Sequence, residues 1–314
     1  MPAYFYSSIR QLISFKKPLI LLLLLTATTV QAAELTQAVR NKISAGDIAS
    51  GQNLLEEYKL KNGVDAEYLN AVGWMARGAE MLRQYDLAAA YVAELRREIK
   101  AEKTELIAPL GAAIEVESKL RAMRDGRGAA LRFLSDELAL AKNISLRARI
   151  SKNINMLSLE GQSAIEINSA NYAGSEPSKL MSLKGKPVLL FFWANWCGDC
   201  KGQAVALSRV WQKYRTRGLV LMAPTRLYGT SEGDKPITPA EEKTLIEKVW
   251  ATTYTGLEGI SIPIDTDAMV QYGVSATPTF VLVDRKGIVQ LYAPTRLSEA
   301  ELSRRIEAVL AEAP

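Results

Sequence analysis

The fold can be predicted outward from one segment, Phe192-Trp193-Ala194-Asn195-Trp196-Cys197-Gly198-Asp199-Cys200-Lys201, which contains the only two cysteines of the 314-residue chain. A continuous apolar run over Pro187 to Ala194 leads into it and is typical of a buried central strand. Helical periodicity over Lys201 to Arg217 follows it. The cysteines are therefore predicted to lie at a helix N-terminus, where unpaired backbone N–H groups and the helix dipole favour a thiolate.

The spacing of the two cysteines predicts a redox pair. Two intervening residues bring both sulfurs onto the first helical turn, so that Cys200 can attack a mixed disulfide formed at Cys197. Cys197 is the predicted nucleophile because the first position is the more exposed one. The alternative, a purely structural disulfide, is weak on physical grounds, since such a short loop restricts the unfolded chain little.

Strand and helix patterns alternate from about residue 163 onward. A brief alternation over residues 164–167 predicts an edge strand, and Gly218 to Ala223 reads as a second buried strand. After an insertion at about 224–259, residues 280–283 and 288–292 predict a hairpin. A last helix is expected from about Ser298, a plausible cap, to Ala311.

The preceding region, residues 33–160, is rich in Ala, Leu, Glu, Lys and Arg and is predicted to be entirely helical. Turn residues recur about every 40 positions, which suggests stacked helical hairpins of the solenoid type. These turns lie at residues 45–47, 84–86 and 124–126. The stretch from Leu69 to Ala90 resembles a tetratricopeptide (TPR) hairpin, in which the small residues Ala71, Gly78 and Ala90 would let the helices approach closely.

Residues 1–32 read as a signal peptide. A basic stretch ending at Lys17 precedes about 12 apolar residues and then the small residues Ala32 and Ala33, where cleavage is expected. The apolar run is shorter than the roughly 20 residues of a membrane-spanning helix. The alternative is an uncleaved membrane anchor. In both cases the folded part is expected outside the cytoplasm, where disulfides persist.

Composition excludes several classes of chemistry. The chain has no histidine, so it lacks a Ser/His/Asp triad, a Cys/His pair and His-ligated metal or haem sites, and two cysteines are too few for a four-cysteine site. We expect no cofactor and no metal. The formal charge of +5 falls to about +2 without the first 32 residues, and no run of Lys and Arg interleaved with aromatics occurs. Nucleic acid is therefore not an expected partner.

Two signatures together resemble the thioredoxin superfamily, in its exported TlpA-like branch. The first is the Phe192–Lys201 segment, and the second is Tyr272-Gly273-Val274-Ser275-Ala276-Thr277-Pro278-Thr279-Phe280, about 80 residues later. The resemblance implies an α/β thioredoxin fold over about 163–314, with a cis proline at Pro278 that faces the cysteines and lets the preceding backbone pair with an extended substrate. It also implies support of the Cys197–Cys200 pair by Trp196, Gly198, Asp199, Lys201, Thr277 and Pro278.

Two departures from that pattern concern the carboxylate expected near the cysteine pair. Thioredoxins have a buried Asp where this chain has Phe191, and TlpA-like proteins often have a Glu where it has Gln203. Either carboxylate could take a proton from the buried thiol. Water or another group, such as Asp199, must replace it here. Asp199 would oppose thiolate formation and Lys201 would favour it, so the redox direction stays open.

The insertion places Arg226 and Tyr228 at the end of a central strand, the edge where open α/β sheets bind ligands. They are expected either to touch substrate or to anchor the insertion. Trp193 is expected in the core, whereas Trp196 is expected to shield the cysteine pair.

The sequence thus predicts an exported thiol-disulfide oxidoreductase that acts on protein disulfides, is recharged by a redox partner, and uses a helical domain to bind partners. Two alternatives stay open. One is a thiol peroxidase, against which Ala194 counts, because peroxidases of that branch usually have Thr there. The other is a non-catalytic interaction scaffold, against which the intact cysteines and Pro278 count.

Overall fold

The computed structural model describes residues 27–231 and 235–311, with side chains from residue 34 onward. Most of the predicted signal peptide, residues 1–26, lies outside the described residues, and the expected cleavage position falls within the first helix. In the part of the chain that is described, no helix is both long and apolar enough to cross a bilayer.

The N-terminal part of the described chain is helical, as the composition predicts. Its helices are α1 (Ala27–Ser44), α2 (Ile48–Asn62), α3 (Ala66–Met81), α4 (Tyr85–Glu98), α5 (Ile107–Asp125), α6 (Arg127–Leu140) and α7 (Ile144–Ser158). Two of the three predicted turns supply caps: the Asp47 carboxylate accepts a hydrogen bond from the Ser50 amide at 3.0 Å, and Gly126 has a φ of 84°. At the third turn, the N-cap residue Gln84 makes no side-chain capping hydrogen bond.

Each helix of this part packs against the next one along the chain, and α1, α3, α5 and α7 also contact one another in series. Their apolar faces form one core around Val39, Val72, Leu95 and Ile114. One predicted contact is wrong: Ala90 is exposed, and Ala88 is the buried residue of that turn, because α4 starts at Tyr85 and turns this face inward.

The C-terminal part has a mixed sheet flanked by helices, which confirms the predicted fold class. Its strands are β1 (Tyr172–Gly174), β2 (Val188–Phe192), β3 (Val220–Met222), β4 (Ser261–Pro263), β5 (Thr279–Val283) and β6 (Val289–Ala293). Its helices are α8 (Gly198–Tyr214), α9 (Pro239–Thr253), α10 (Thr266–Gln271) and α11 (Glu299–Ala311). The strand order is β1-β4-β3-β2-β5-β6.

The position of β2 at the centre of the sheet explains why its sequence is apolar without a break. It pairs in parallel with β3 and antiparallel with β5, in a register that joins Val188 to Val283 and Phe192 to Thr279. All five of its residues are buried, because helices and loops cover both faces of the sheet. One face packs against α8, α9 and α11, and the other packs against α10 and the segment that follows α7.

The predicted edge strand at 164–167 is wrong. Three backbone hydrogen bonds tie residues 161–164 to Gly287 and Val289, but only one isolated bridge forms. Beyond that point the Ile165 carbonyl accepts from the Tyr272 hydroxyl at 2.6 Å, so it is not free for a strand ladder. The edge strand is β1, which pairs antiparallel with β4.

Candidate redox site

The cysteine pair lies where β2 gives way to α8. Cys197 is the N-cap residue of this 17-residue helix, and its Sγ accepts a hydrogen bond from the Cys200 amide at 3.0 Å. The two cysteines form a disulfide. The amides of the first helical turn and the positive end of the helix dipole lie at the Cys197 sulfur, and both stabilise a thiolate after reduction.

The second signature lies opposite the disulfide. Cys197 Sγ is 3.4 Å from the carbonyl oxygen of Thr277, and the Thr277–Pro278 peptide bond is cis. In the disulfide form both cysteines are buried, Cys197 with 4% and Cys200 with 0% of its surface exposed. The structure therefore brings together the two sequence signatures that lie about 80 residues apart.

The two positions that lack the expected carboxylates are filled by groups with structural contacts. Phe191 is fully buried, and its ring lies 5.2 Å from that of Phe280. Gln203 is also buried; its Nε2 donates to the Leu297 carbonyl at 2.6 Å and its Oε1 accepts from the Leu297 amide at 3.2 Å. This side chain therefore holds the loop before α11, and because an amide does not ionise it cannot take a proton from a thiol as a carboxylate does.

Asp199 and Lys201 lie on the first turn of α8. The Asp199 carboxylate is exposed and lies 3.6 Å from the guanidinium of Arg296. Because Arg296 is a cation, it offsets the charge with which Asp199 would oppose a Cys197 thiolate. Sequence reasoning missed Arg296, which is almost 100 residues away along the chain.

The two tryptophans of the segment have different surroundings. Trp193 is fully buried and donates from Nε1 to the Ala223 carbonyl at 3.0 Å, so it is a core residue as expected. Trp196 is 51% exposed and packs edge-on against Tyr228, with ring centroids 5.3 Å apart. The guanidinium of Arg226 lies 4.5 Å from the centre of the Tyr228 ring. Burial raises the pKa of the Tyr228 phenol, and Arg226 opposes that shift.

A buried acid shapes the loop that carries Arg226 and Tyr228. Glu242 on α9 is fully buried, and its two carboxylate oxygens accept from the amides of Tyr228 at 2.7 Å and Gly229 at 2.8 Å. These charge-assisted hydrogen bonds fix the backbone of the insertion beside the cysteine pair.

A cavity of about 330 Å³ lies at this site. One side is formed by Trp196, Arg226, Tyr228 and the loop residues Val274 to Thr277. The other side comes from α7, through Ser145, Ala148 and Arg149. Sequence reasoning missed the α7 contribution, because no local pattern shows which helix of a helical region packs on a distant loop.

The C-terminal half of the chain is similar to known thioredoxin-like proteins. Residues 161–292 match the AhpC/TSA family model. The chain is 28% identical over 151 residues to thioredoxin-like protein YneN of Bacillus subtilis, a match that covers 47% of this chain and 79% of YneN. It is 24% identical over 135 residues to thiol-disulfide oxidoreductase ResA of Geobacillus thermodenitrificans, covering 42% of this chain and 67% of ResA.

A solved structure also matches, that of a secreted Mycobacterium tuberculosis disulfide oxidoreductase homologous to DsbE of Escherichia coli. It is 22% identical, covers 44% of this chain and 95% of its own, and has a TM-score of 0.34. The fold and the cysteine pair at the start of α8 agree with these matches: residues 161–292 form a thioredoxin-fold domain that matches the AhpC/TSA family model and is similar to the ResA thiol-disulfide oxidoreductases.

Proposed function

We propose that this thiol-disulfide oxidoreductase exchanges disulfides with protein substrates outside the cytoplasm, with Cys197 as the attacking and Cys200 as the resolving residue. The observation that carries the proposal is the Cys197–Cys200 disulfide at the N-terminus of α8, 3.4 Å from the Thr277 carbonyl. A backbone carbonyl beside the reactive sulfur can pair with an extended polypeptide, which supports a protein substrate.

The chemistry runs in two exchanges, starting from the reduced protein. The Cys197 thiolate attacks one sulfur of a substrate disulfide; a bond forms between the two, the substrate S–S bond breaks, and the departing thiolate takes a proton from water. Cys200 then loses its proton to water and its thiolate attacks Cys197 Sγ. The mixed disulfide breaks, the Cys197–Cys200 disulfide re-forms, and the second substrate sulfur leaves as a thiolate that takes up a proton from water. Two electrons pass from the cysteine pair to the substrate. The same steps in reverse oxidise a substrate dithiol, and a redox partner resets the pair in either case.

Two further features support the location and the partner role. The signal-like segment at residues 1–32 supports export, since a disulfide of this kind persists outside the cytoplasm. Helix α7 lines the cavity beside the cysteines, which supports a role of the helical region in substrate binding.

Trapping of the mixed disulfide tests the assigned roles. Cys200→Ser keeps the attacking sulfur and lacks the resolving one. It is therefore expected to accumulate a mixed disulfide with insulin, which dithiothreitol reduces. Cys197→Ser is the matched control and is expected to form none. The wild type is expected to catalyse insulin reduction by dithiothreitol, and the Cys197→Ser rate is expected to fall at least about 100-fold, because the nucleophile is gone.

Two results would contradict the proposal. Insulin reduction by Cys197→Ser at the wild-type rate would remove the assigned nucleophile. Consumption of hydrogen peroxide with dithiothreitol, faster than insulin reduction, would identify a thiol peroxidase instead.

A further inference from the structure

The cavity between α7 and the loop at residues 272–278, here called the redox loop, contains two arginines that have no carboxylate partner among the described residues. Arg149 comes from α7 and Arg226 from the loop after β3. Trp196 and Thr277, the neighbours of the cysteine pair, line the same cavity. Two cations thus face a space that opens beside the reactive sulfur.

Arg149 is held in place without being neutralised. Its Nε is buried and has no hydrogen-bond partner in the described structure. Its side chain passes over Gly111, where an added Cβ would lie 2.7 Å from Arg149 Cδ. Burial, and to a lesser extent Arg77, lowers the pKa of the guanidinium, and the nearby Glu115 opposes this shift only in part.

The acid near Arg149 is engaged elsewhere. Glu115 on α5 pairs with Arg77 at 3.1 Å and with Lys152 at 3.2 Å. Lys119, also close to Glu115, forms its shorter contact with Glu80 at 2.7 Å. The carboxylates of this region are thus already paired with other cations, and Arg149 stays in excess.

Arg226 is oriented by an aromatic contact. It lies over the ring of Tyr228, and the buried acid of that region, Glu242, is occupied by the two amides of the loop. An arginine that stacks on an aromatic ring keeps its N–H edge available for a planar anion.

We propose that this cavity binds a carboxylate of the substrate through Arg149 and Arg226, so that the protein selects disulfides flanked by an acidic residue. The inference rests on the proposed exchange with protein substrates. A carboxylate accepts paired hydrogen bonds from guanidinium N–H groups, and it would supply the counter-charge that Arg149 lacks. The volume is in the range of binding cavities for small groups, which suits one acidic side chain and its neighbours. An aspartate or glutamate next to a substrate cysteine would enter the cavity while the disulfide meets Cys197.

Two short peptides with one intramolecular disulfide each test this specificity. They differ only in having Asp or Asn beside one cysteine, and each is mixed in excess with the reduced full-length protein. The readout is the second-order rate constant for oxidation of the protein, measured as loss of free thiol. The wild type is expected to react roughly tenfold faster with the Asp peptide, the size of effect that one charge-assisted hydrogen bond provides.

The preference, expressed as the ratio of the two rate constants, is expected to fall toward one in Arg149→Gln and in Arg226→Gln. Arg209→Gln is the matched control: it removes the same charge from an exposed position on α8, and its ratio is expected to match the wild type. Thermal unfolding checks that each variant folds. If Arg149→Gln does not fold, the ratio of the two rate constants in Arg226→Gln tests the carboxylate site by itself.

Four outcomes would overturn the inference, and they differ in whether the proposed disulfide exchange survives. Equal rates for the two peptides in the wild type, or an equal loss of preference in Arg209→Gln, would reject the carboxylate site and leave disulfide exchange intact. A reaction faster with oxidised glutathione than with the Asp peptide would reject a protein substrate for the cavity. Failure of both peptides and of insulin to oxidise the reduced wild type would remove the proposed function together with the inference.

Discussion

Among single side chains, Glu115 shows how an ionised acid is kept within the helical region. Its side chain is only 15% exposed, and burial alone would raise its pKa. Arg77, Lys152 and Lys119 oppose that effect and lower the pKa of Glu115 to about 2. The carboxylate therefore stays charged and holds α3, α5 and α7 together through Arg77 and Lys152.

Glu115→Gln is expected to change how stability depends on pH. The folded-state pKa of about 2 lies below the ordinary value of 4.5, so the stabilisation by Glu115 is fully present above about pH 4.5 and is lost as the pH falls toward 2. Between pH 7 and pH 3 the wild type is expected to lose about 2 kcal/mol of unfolding free energy through this group, and the variant none of it. Urea unfolding at both pH values measures this difference.

The exposed Glu57→Gln is the control for that experiment and is expected to follow the wild type. An unchanged pH dependence in Glu115→Gln would show that the ion-pair cluster does not stabilise the fold.

Helix α7 is the element that joins the helical region to the redox loop. Gly273 has a φ of 66°, and a Cβ atom built on it overlaps the backbone of Lys152. The loop that ends at Pro278 therefore lies directly against α7, closer than any side chain at position 273 would allow.

Gly273→Ala is expected to destabilise the protein by roughly 2–4 kcal/mol, because backbone strain at positive φ adds to overlap with α7. The matched control is Gly218→Ala, which has a φ of 91° and no atom within 4 Å of the added Cβ. Only the strain of roughly 1–2 kcal/mol is expected there. Denaturant midpoints at constant m-value give both numbers. Equal losses in the two variants would mean that the α7 contact is not tight in solution.

At the scale of the whole molecule, polar contacts as well as packing join the helical region to the α/β region. Asn155 Nδ2 on α7 donates to the Gln271 carbonyl at 2.8 Å, and the Glu160 carboxylate accepts from the Tyr292 amide at 3.0 Å. Both contacts join residues more than 100 positions apart. Gln271 lies two residues before Gly273, so the Asn155 hydrogen bond adds to the packing of α7 on the loop that ends at Pro278.

This junction predicts that the wild type unfolds in one transition, with the same midpoint by far-ultraviolet circular dichroism and by tryptophan fluorescence. Asn155→Ala leaves the Gln271 carbonyl without its donor and is expected to cost about 1–2 kcal/mol. Asn62→Ala, which removes an exposed amide bonded only within α2, is expected to cost less than about 0.5 kcal/mol. Two separate transitions in the wild type would show that the two parts unfold independently.

Much of the redox site could be predicted from local sequence. The apolar run before Cys197, the spacing to Cys200, the signature around Pro278 and the caps of α2 and α11 depend on neighbouring residues, and all these elements form where they were expected. The alternation at 164–167 misled because Ile167 is buried without belonging to a strand, and periodicity does not distinguish these cases.

Local sequence was therefore sufficient for the cysteine pair, the strand–helix junction that carries it, and the succession of a helical and an α/β region. Packing of distant elements was needed to show that α7 closes the cavity, that Arg296 offsets Asp199, that Gln203 binds Leu297, and that Arg149 and Arg226 line one cavity. The two groups of features differ in how far apart along the chain the interacting residues lie. Strand burial, helix capping and cysteine spacing are determined within a few residues, whereas these contacts join side chains whose meeting depends on how complete elements pack.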